Sequence, residues 1–198
     1  MLGLRTKGFS NSWRMLGLLP LSFFIARCIY FSGHGGTSQI LWMCHFSNLT
    51  LAIGLLFNLP ILVGISAYWL ALAIPFWVID VIGFGMEGLT SLATHAGGTV
   101  IALFALSRIY PPRRIWGYAL GWHLILQAIS HFFTPPELNI NFAHAVYRGW
   151  ESLFPDYSYY WMLVTVSAGI ALYLLDAMTI FLVKRHRKEG RHEKPGMD

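Results

Sequence analysis

Charge is what this sequence has least of. Only 12% of its 198 residues are Asp, Glu, Lys or Arg, against 56% hydrophobic, and the mean hydropathy is +0.54. That balance leaves no room for a sizeable aqueous domain. Cysteine is nearly absent as well. Cys28 and Cys44 are the whole complement, which excludes a disulfide framework and a thiolate-rich zinc centre; both read as free thiols. No HExxH or HxxxH pair occurs, so no helix carries a ready-made set of zinc ligands. Internal repeats, low-complexity tracts and a second domain are also missing.

What remains is a succession of long apolar runs. A hydrocarbon core about 30 Å thick takes about 20 helical residues to cross, and lipid-exposed backbone has to satisfy its own polar groups, which makes each run a helix. The sequence predicts an all-α polytopic membrane protein, a single domain of six transmembrane helices. The spans are 15–31, 39–57, 61–81, 89–107, 115–133 and 159–183, with boundaries at Gly35-Gly36, Asn58-Leu59-Pro60, Gly83 to Gly88, Pro111-Pro112 and Pro135-Pro136. The opening segment has a charged start and an apolar middle like a secretory signal, but the run is long and no small-x-small cleavage site follows, so it reads as a retained first helix.

Basic residues then set the orientation. Arg5, Lys7 and Arg14 precede the first span, Arg108, Arg113 and Arg114 join the fourth to the fifth, and Lys184, Arg185, Arg187, Lys188, Arg191 and Lys194 follow the last. With residues 1–14 and 184–198 cytoplasmic, the positive-inside rule is obeyed everywhere except at Arg27 and Arg148. An odd span count would break that agreement. The basic residues flank membrane helices in three separate short segments, which excludes nucleic-acid binding despite the net charge of +5. Membrane lipids are the expected partners, and short loops favour a bacterial inner membrane. The outer loop, 134–158, is rich in Trp and Tyr and predicts an interfacial helix around 141–153.

Polar groups within the spans collect in the outer half: Arg27, then Cys44, His45, Ser47 and Asn48, then Asp80, then Thr90, Ser91, Thr94 and His95, then Ser130 and His131. Polarity in hydrocarbon is costly and turns inward, so these residues predict one polar chamber fed by five helices. Cys44 and Asn48 share a helical face, as do Ser91 and His95; His123, Gln127, Ser130 and His131 form a stripe. Gly97, Gly98, Gly117 and Gly121 permit close helix approach, making the fourth and fifth helices the expected centre. In the inner half, His123 and Asp176 are the expected structural pair.

A thiol and an imidazole on separate helices at one depth are the minimum for nucleophilic acyl transfer: His takes the thiol proton and returns it to the leaving group. Cys44 as nucleophile and His95 as base are the candidates. Thr94, Asn48 or the backbone near Gly97 would donate to an oxyanion, and Asp80 would orient an imidazole, with His45 and His131 completing the chamber. Other chemistry is open. His45, His95, His131 and Asp80 could converge on a metal, though no metal or other cofactor is expected; His45 with His95 could hold haem, as in an electron carrier for haem or quinone. The whole could equally be a non-catalytic subunit whose polar groups join helices in a larger membrane complex.

The segment Trp42-Met43-Cys44-His45-Phe46-Ser47-Asn48 and the segment Thr94-His95-Ala96-Gly97-Gly98 resemble two helices of the YwaF-like integral membrane proteins. That family is similar to a transmembrane phospholipid acyltransferase and, more distantly, to the androgen-induced intramembrane hydrolases. The resemblance spans about residues 38–184. It implies an enzyme that hydrolyses or transfers acyl groups of membrane lipids, with Cys44 as nucleophile and His95 as base. In this sequence His45 follows Cys44, whereas the family has its His two residues before the Cys.

Overall fold

Every regular element among the described residues is helical, as a backbone meeting lipid requires. The computed structural model describes residues 11–34, 36–85, 88–109 and 114–192. Arg5, Lys7, Arg113, Lys194 and the Pro111-Pro112 boundary lie outside them, as do the side chains of the basic tail. A short turn, Asn11–Met15, leads into α1, Leu18–His34; then follow α2, Met43–Leu56, α3, Pro60–Phe84, α4, Leu89–Arg108, α5, Ile115–Phe133, and α6, Tyr157–His192. Four segments, Trp13–His34, Pro60–Gly83, Leu89–Arg108 and Tyr157–Leu182, are long and apolar enough to cross a membrane. Helix α2 is apolar but only 14 residues long. Helix α5 is continuous over 19 residues, but His123, Gln127, Ser130 and His131 break up its apolar run.

The α2–α3 hairpin shows how local sequence sets the bundle. Asn58 stands at φ 57, in the left-handed region that Asn tolerates. Leu59 N–H then reaches back to Gly54 O at 2.8 Å, the six-to-one closure that ends a helix on a left-handed residue. Pro60 follows at the first turn of α3, where its missing N–H costs nothing. A Cβ on Gly54 would meet Val63 at 2.9 Å, so the glycine lets the two helices pack nearly backbone to backbone.

Helix α3 is the centre of the molecule, packing against α2, α4, α5 and α6. The eight consecutive residues Val63 to Leu70 are all buried, as expected of a helix that is apolar on every side. This corrects the expectation that α4 and α5 are central. Gly97 and Gly98 do admit neighbours, Phe23 and Asn48, but a Cβ on Gly117 or Gly121 would meet nothing within 4 Å. The core joins Leu51, Leu55, Val63, Leu70, Ile115 and Leu126. Polar pins cross it: Trp69 Nε1 donates to Ala119 O at 2.8 Å and Thr99 Oγ1 to Leu70 O at 3.2 Å.

The outer loop is not the expected interfacial helix. It holds two 3₁₀ turns, Pro136–Leu138 and Ile140–Phe142, and then irregular turns. Asn139, Asn141 and Phe142 all take positive φ, which no continuing α-helix of L-residues accommodates.

Candidate functional site

His95 stands on a π turn. Residues Ala93–Gly97 of α4 bond at the wider spacing before the α-helix resumes at Gly98; such a bulge re-aims side chains and frees backbone carbonyls. The ring, only 7% exposed, is held on three sides. Its Nδ1 lies 2.9 Å from Ser91 O, and since a carbonyl only accepts, Nδ1 carries the proton and Nε2 the lone pair. Trp77 of α3 stacks on its face with ring centroids 5.3 Å apart and fixes its own indole by donating to Ser91 Oγ at 3.0 Å. His45 meets it edge-on at 5.7 Å. Pro75 lies two residues before Trp77, inside α3.

Cys44 and His45 open α2 on the opposite wall. Cys44 Sγ and a ring nitrogen each of His45 and His95 lie within 4.8 Å of one another. The tautomer of His45 follows from its neighbours. Arg27 Nη2 sits 3.4 Å from His45 Nε2; a guanidinium only donates, so Nε2 accepts and Nδ1 keeps the hydrogen. That hydrogen points at Cys44 Sγ, 3.8 Å away. His45 therefore donates to the sulfur and cannot take its proton, whereas His95 retains a basic nitrogen.

Arg27 is 1% exposed, a guanidinium inside an apolar bundle. Its positive charge lies over the rings of Phe31 and Tyr30, at 4.2 and 5.0 Å from their centroids, and Nη1 donates to Thr90 Oγ1 at 3.4 Å. Sequence placed Arg27 and Ser91 in the polar chamber without giving either a part in the chemistry, and it missed Trp77. The signal for Arg27 was present: Tyr30 and Phe31 lie three and four residues on, the spacing that stacks aromatic side chains over a cation on one helix face.

Two expected oxyanion donors are already committed. Asn48, with no exposed surface, gives both amide hydrogens to backbone, at 3.0 Å to Cys44 O and 3.1 Å to Thr94 O. Thr94 donates its hydroxyl to Thr90 O at 2.8 Å. Both residues brace the π turn against α2. Gly98 is part of that brace, since a Cβ there would run onto the Asn48 amide oxygen. One turn further along α2, Ser47 is fully buried with a hydroxyl that has no partner, unlike Thr50 and Ser66, which bond back to the preceding turn.

The single five-helix chamber resolves into separate groups. Asp80 is exposed and accepts the Tyr147 hydroxyl at 2.7 Å, so it orients a loop and no imidazole. Burial first, and then the Asp80 carboxylate, pushes the Tyr147 phenol up to about 12. His131 faces outward on α5; it donates from Nδ1 to Ala143 O at 2.8 Å and stacks on His144 at 4.9 Å. Asp176 takes the Tyr68 hydroxyl at 3.0 Å while His123 stacks on Trp69 at 4.7 Å, in place of the expected His123–Asp176 pair. Neither Cys28 nor Cys44 is in a disulfide.

Among the described residues the group that could hold a metal ion is Cys44, His45 and His95, and not the set His45, His95, His131 and Asp80. The donors suit zinc or copper(I), and His95 has the carbonyl partner that orients a ligating imidazole. His45 does not fit. Ligation through Nδ1 would force a hydrogen onto Nε2, directly against the donating Arg27. Haem fits still less, because two imidazoles in edge contact leave no slot for a macrocycle between them.

Family models, curated proteins and solved structures were each searched, and none matches this chain.

Proposed function

We propose that the chain is an intramembrane enzyme that transfers or hydrolyses acyl groups of membrane lipids through Cys44 and His95, the chemistry implied by the resemblance to YwaF-like proteins. One observation carries this reading. The thiol and two imidazoles from different helices meet within 4.8 Å, and the hydrogen bonds around them give the two rings opposite jobs. His95 offers a lone pair; His45 offers a hydrogen.

In this mechanism His95 Nε2 takes the proton of Cys44 as sulfur attacks the ester carbonyl carbon. The developing oxyanion is met by the His45 Nδ1–H, turned from the sulfur, with the Arg27 guanidinium behind it. The carbon–oxygen bond to the leaving group breaks, His95 returns the proton to that oxygen, and a thioester remains on Cys44. Water or an acceptor hydroxyl then attacks the thioester and restores the thiol. An apolar groove of about 630 Å³ on the outer face of the π turn, lined by Leu89, Leu92, Ala96 and Val100, suits acyl chains as the surroundings. The full topology in this reading has six spans, both termini cytoplasmic, in a bacterial inner membrane, with α2 and α5 completing the four longer apolar helices.

The test is labelling of the purified chain by an alkyne-tagged long-chain acyl nitrophenyl ester. Cys44→Ala and His95→Ala are each expected to abolish the label, while Ser47→Ala, which removes no hydrogen bond, keeps it. Full labelling of Cys44→Ala would end the thiol mechanism, and loss of label in Ser47→Ala alone would move the nucleophile one turn along α2.

A further inference from the structure

We propose that Asn141, in the outer loop, is a positioning residue for Cys44. It fixes the first turn of α2, on which the thiol and His45 stand; its kinetic consequence rests on the proposed acyl chemistry, but the anchoring does not.

The first N–H groups of a helix have no partner within it, and Trp42, which precedes α2, supplies no capping side chain. Asn141 supplies the cap from 98 residues away: its Oδ1 accepts the Met43 N–H at 2.8 Å. Its Nδ2 donates to Leu41 O at 2.8 Å and to Ser130 Oγ of α5 at 3.0 Å. One 2%-exposed amide therefore bridges the residues on either side of Trp42 to a second helix. Met43 is the immediate neighbour of Cys44, so a shift in this cap is a shift in the thiol.

The loop around Asn141 is shaped for the task. Gln127 Nε2 donates to Asn141 O at 3.1 Å, fixing the backbone from α5. Phe142, at φ 57, sets its ring edge-on to Trp42 with centroids 5.8 Å apart. A bulky residue in the left-handed region is a rare and costly conformation, kept where the surroundings over-determine it. Here the surroundings are Trp42 on one side and the amide bridge on the other. Reactive groups need placing to within a fraction of an ångström, and a displacement of about 1 Å can lower a rate on the order of a hundredfold. A cap on the residue beside the nucleophile is well placed to exert that control.

Asn141 itself stands at φ 54, a conformation glycine adopts without cost, so Asn141→Gly deletes the side chain and leaves the backbone unstrained. The experiment uses the full chain in a Cys28→Ser background with two readouts, amide hydrogen exchange of the segment around Met43 and the rate of Cys44 labelling by the acyl ester. Asn141→Gly is expected to speed exchange at Met43 by about tenfold, the loss of one buried hydrogen bond, and to lower the maximal labelling rate at least tenfold. The ester concentration for half-maximal rate stays within about twofold. Ser130→Ala, which removes a single partner of the amide, shifts both readouts the same way and less, and decides the matter if the glycine variant does not fold. Unchanged exchange at Met43, or faster exchange with an unchanged labelling rate, overturns the proposal. If the parent chain takes no label, the acyl mechanism fails by itself, and exchange still shows whether Asn141 anchors the helix.

Discussion

At the scale of residues, glycine positions separate contact from mere permission. Gly97, Gly98 and Gly117 look alike in a sequence. Only the first two have a neighbour where a side chain would go, a movable phenyl ring of Phe23 for Gly97 and, for Gly98, the Asn48 amide, whose two hydrogens are both bonded to carbonyls. Gly98→Ala is expected to cost about 1–3 kcal/mol, the range for overpacking a closed site, because Asn48 has to give up one of its carbonyls. Gly97→Ala costs less, since the ring can turn aside. Gly117→Ala, facing open space, raises stability by about 0.5–1 kcal/mol through helix propensity. Thermal unfolding midpoints in detergent check the order, and equal midpoints for the three variants would contradict it. His45 carries the same lesson. Its residue type was legible as a site candidate, but its tautomer depends on Arg27, a contact across 18 residues that no local pattern encodes.

At the scale of elements, the wider turn in α4 is the decisive irregularity. A π turn is equivalent to one residue inserted into an α-helix, so deleting Ala96 should restore regular α-helix from Leu89 to Arg108. Because the bulge absorbs the extra residue, the flanking turns would keep their register, and only the residues within the turn would be re-aimed, His95 among them. The expected outcome is a chain with unchanged circular dichroism and no labelling by the acyl ester; retained labelling would show that the bulge does not aim His95. Helix existence was legible for α1, α3, α4 and α6, where apolar runs are long. The bulge was not, because Ala93 to Gly97 contains nothing that an ordinary helix would refuse. The outer loop was misread for a related reason: Asn139 and Asn141 can sit in a helix or in the left-handed region, and the choice fell to partners in α2 and α5.

At the scale of the whole molecule, the sequence revealed where polarity lies in depth, and much less about which way round each helix it turns. Cys44, His45 and His95 were recognisable as candidates by position and chemistry. Asp80 and His131 share that depth but are used by the loop, a difference decided by rotation about the helix axis. Reporter fusions after Ser10, Arg114 and Gly196 test the proposed topology: all three are expected on the cytoplasmic side, and a fusion within 148–152 on the other. A fusion after Arg114 reporting the outer side would exclude the six-span arrangement.

The last helix has a peculiar place in this plan. Across an 18-residue apolar stretch of Tyr157–Leu182 only 11% is buried, against 44% for the like stretches of Pro60–Gly83 and Leu89–Arg108, and its polar attachments are few: Tyr157 to Phe142 O, Trp161 to Gln127 and Asp176 to Tyr68. During synthesis it also leaves the ribosome after the five helices before it. The thiol, both imidazoles and the guanidinium come from α1, α2 and α4, so α6 closes a side of the bundle that holds none of them, and their cluster can assemble before it docks.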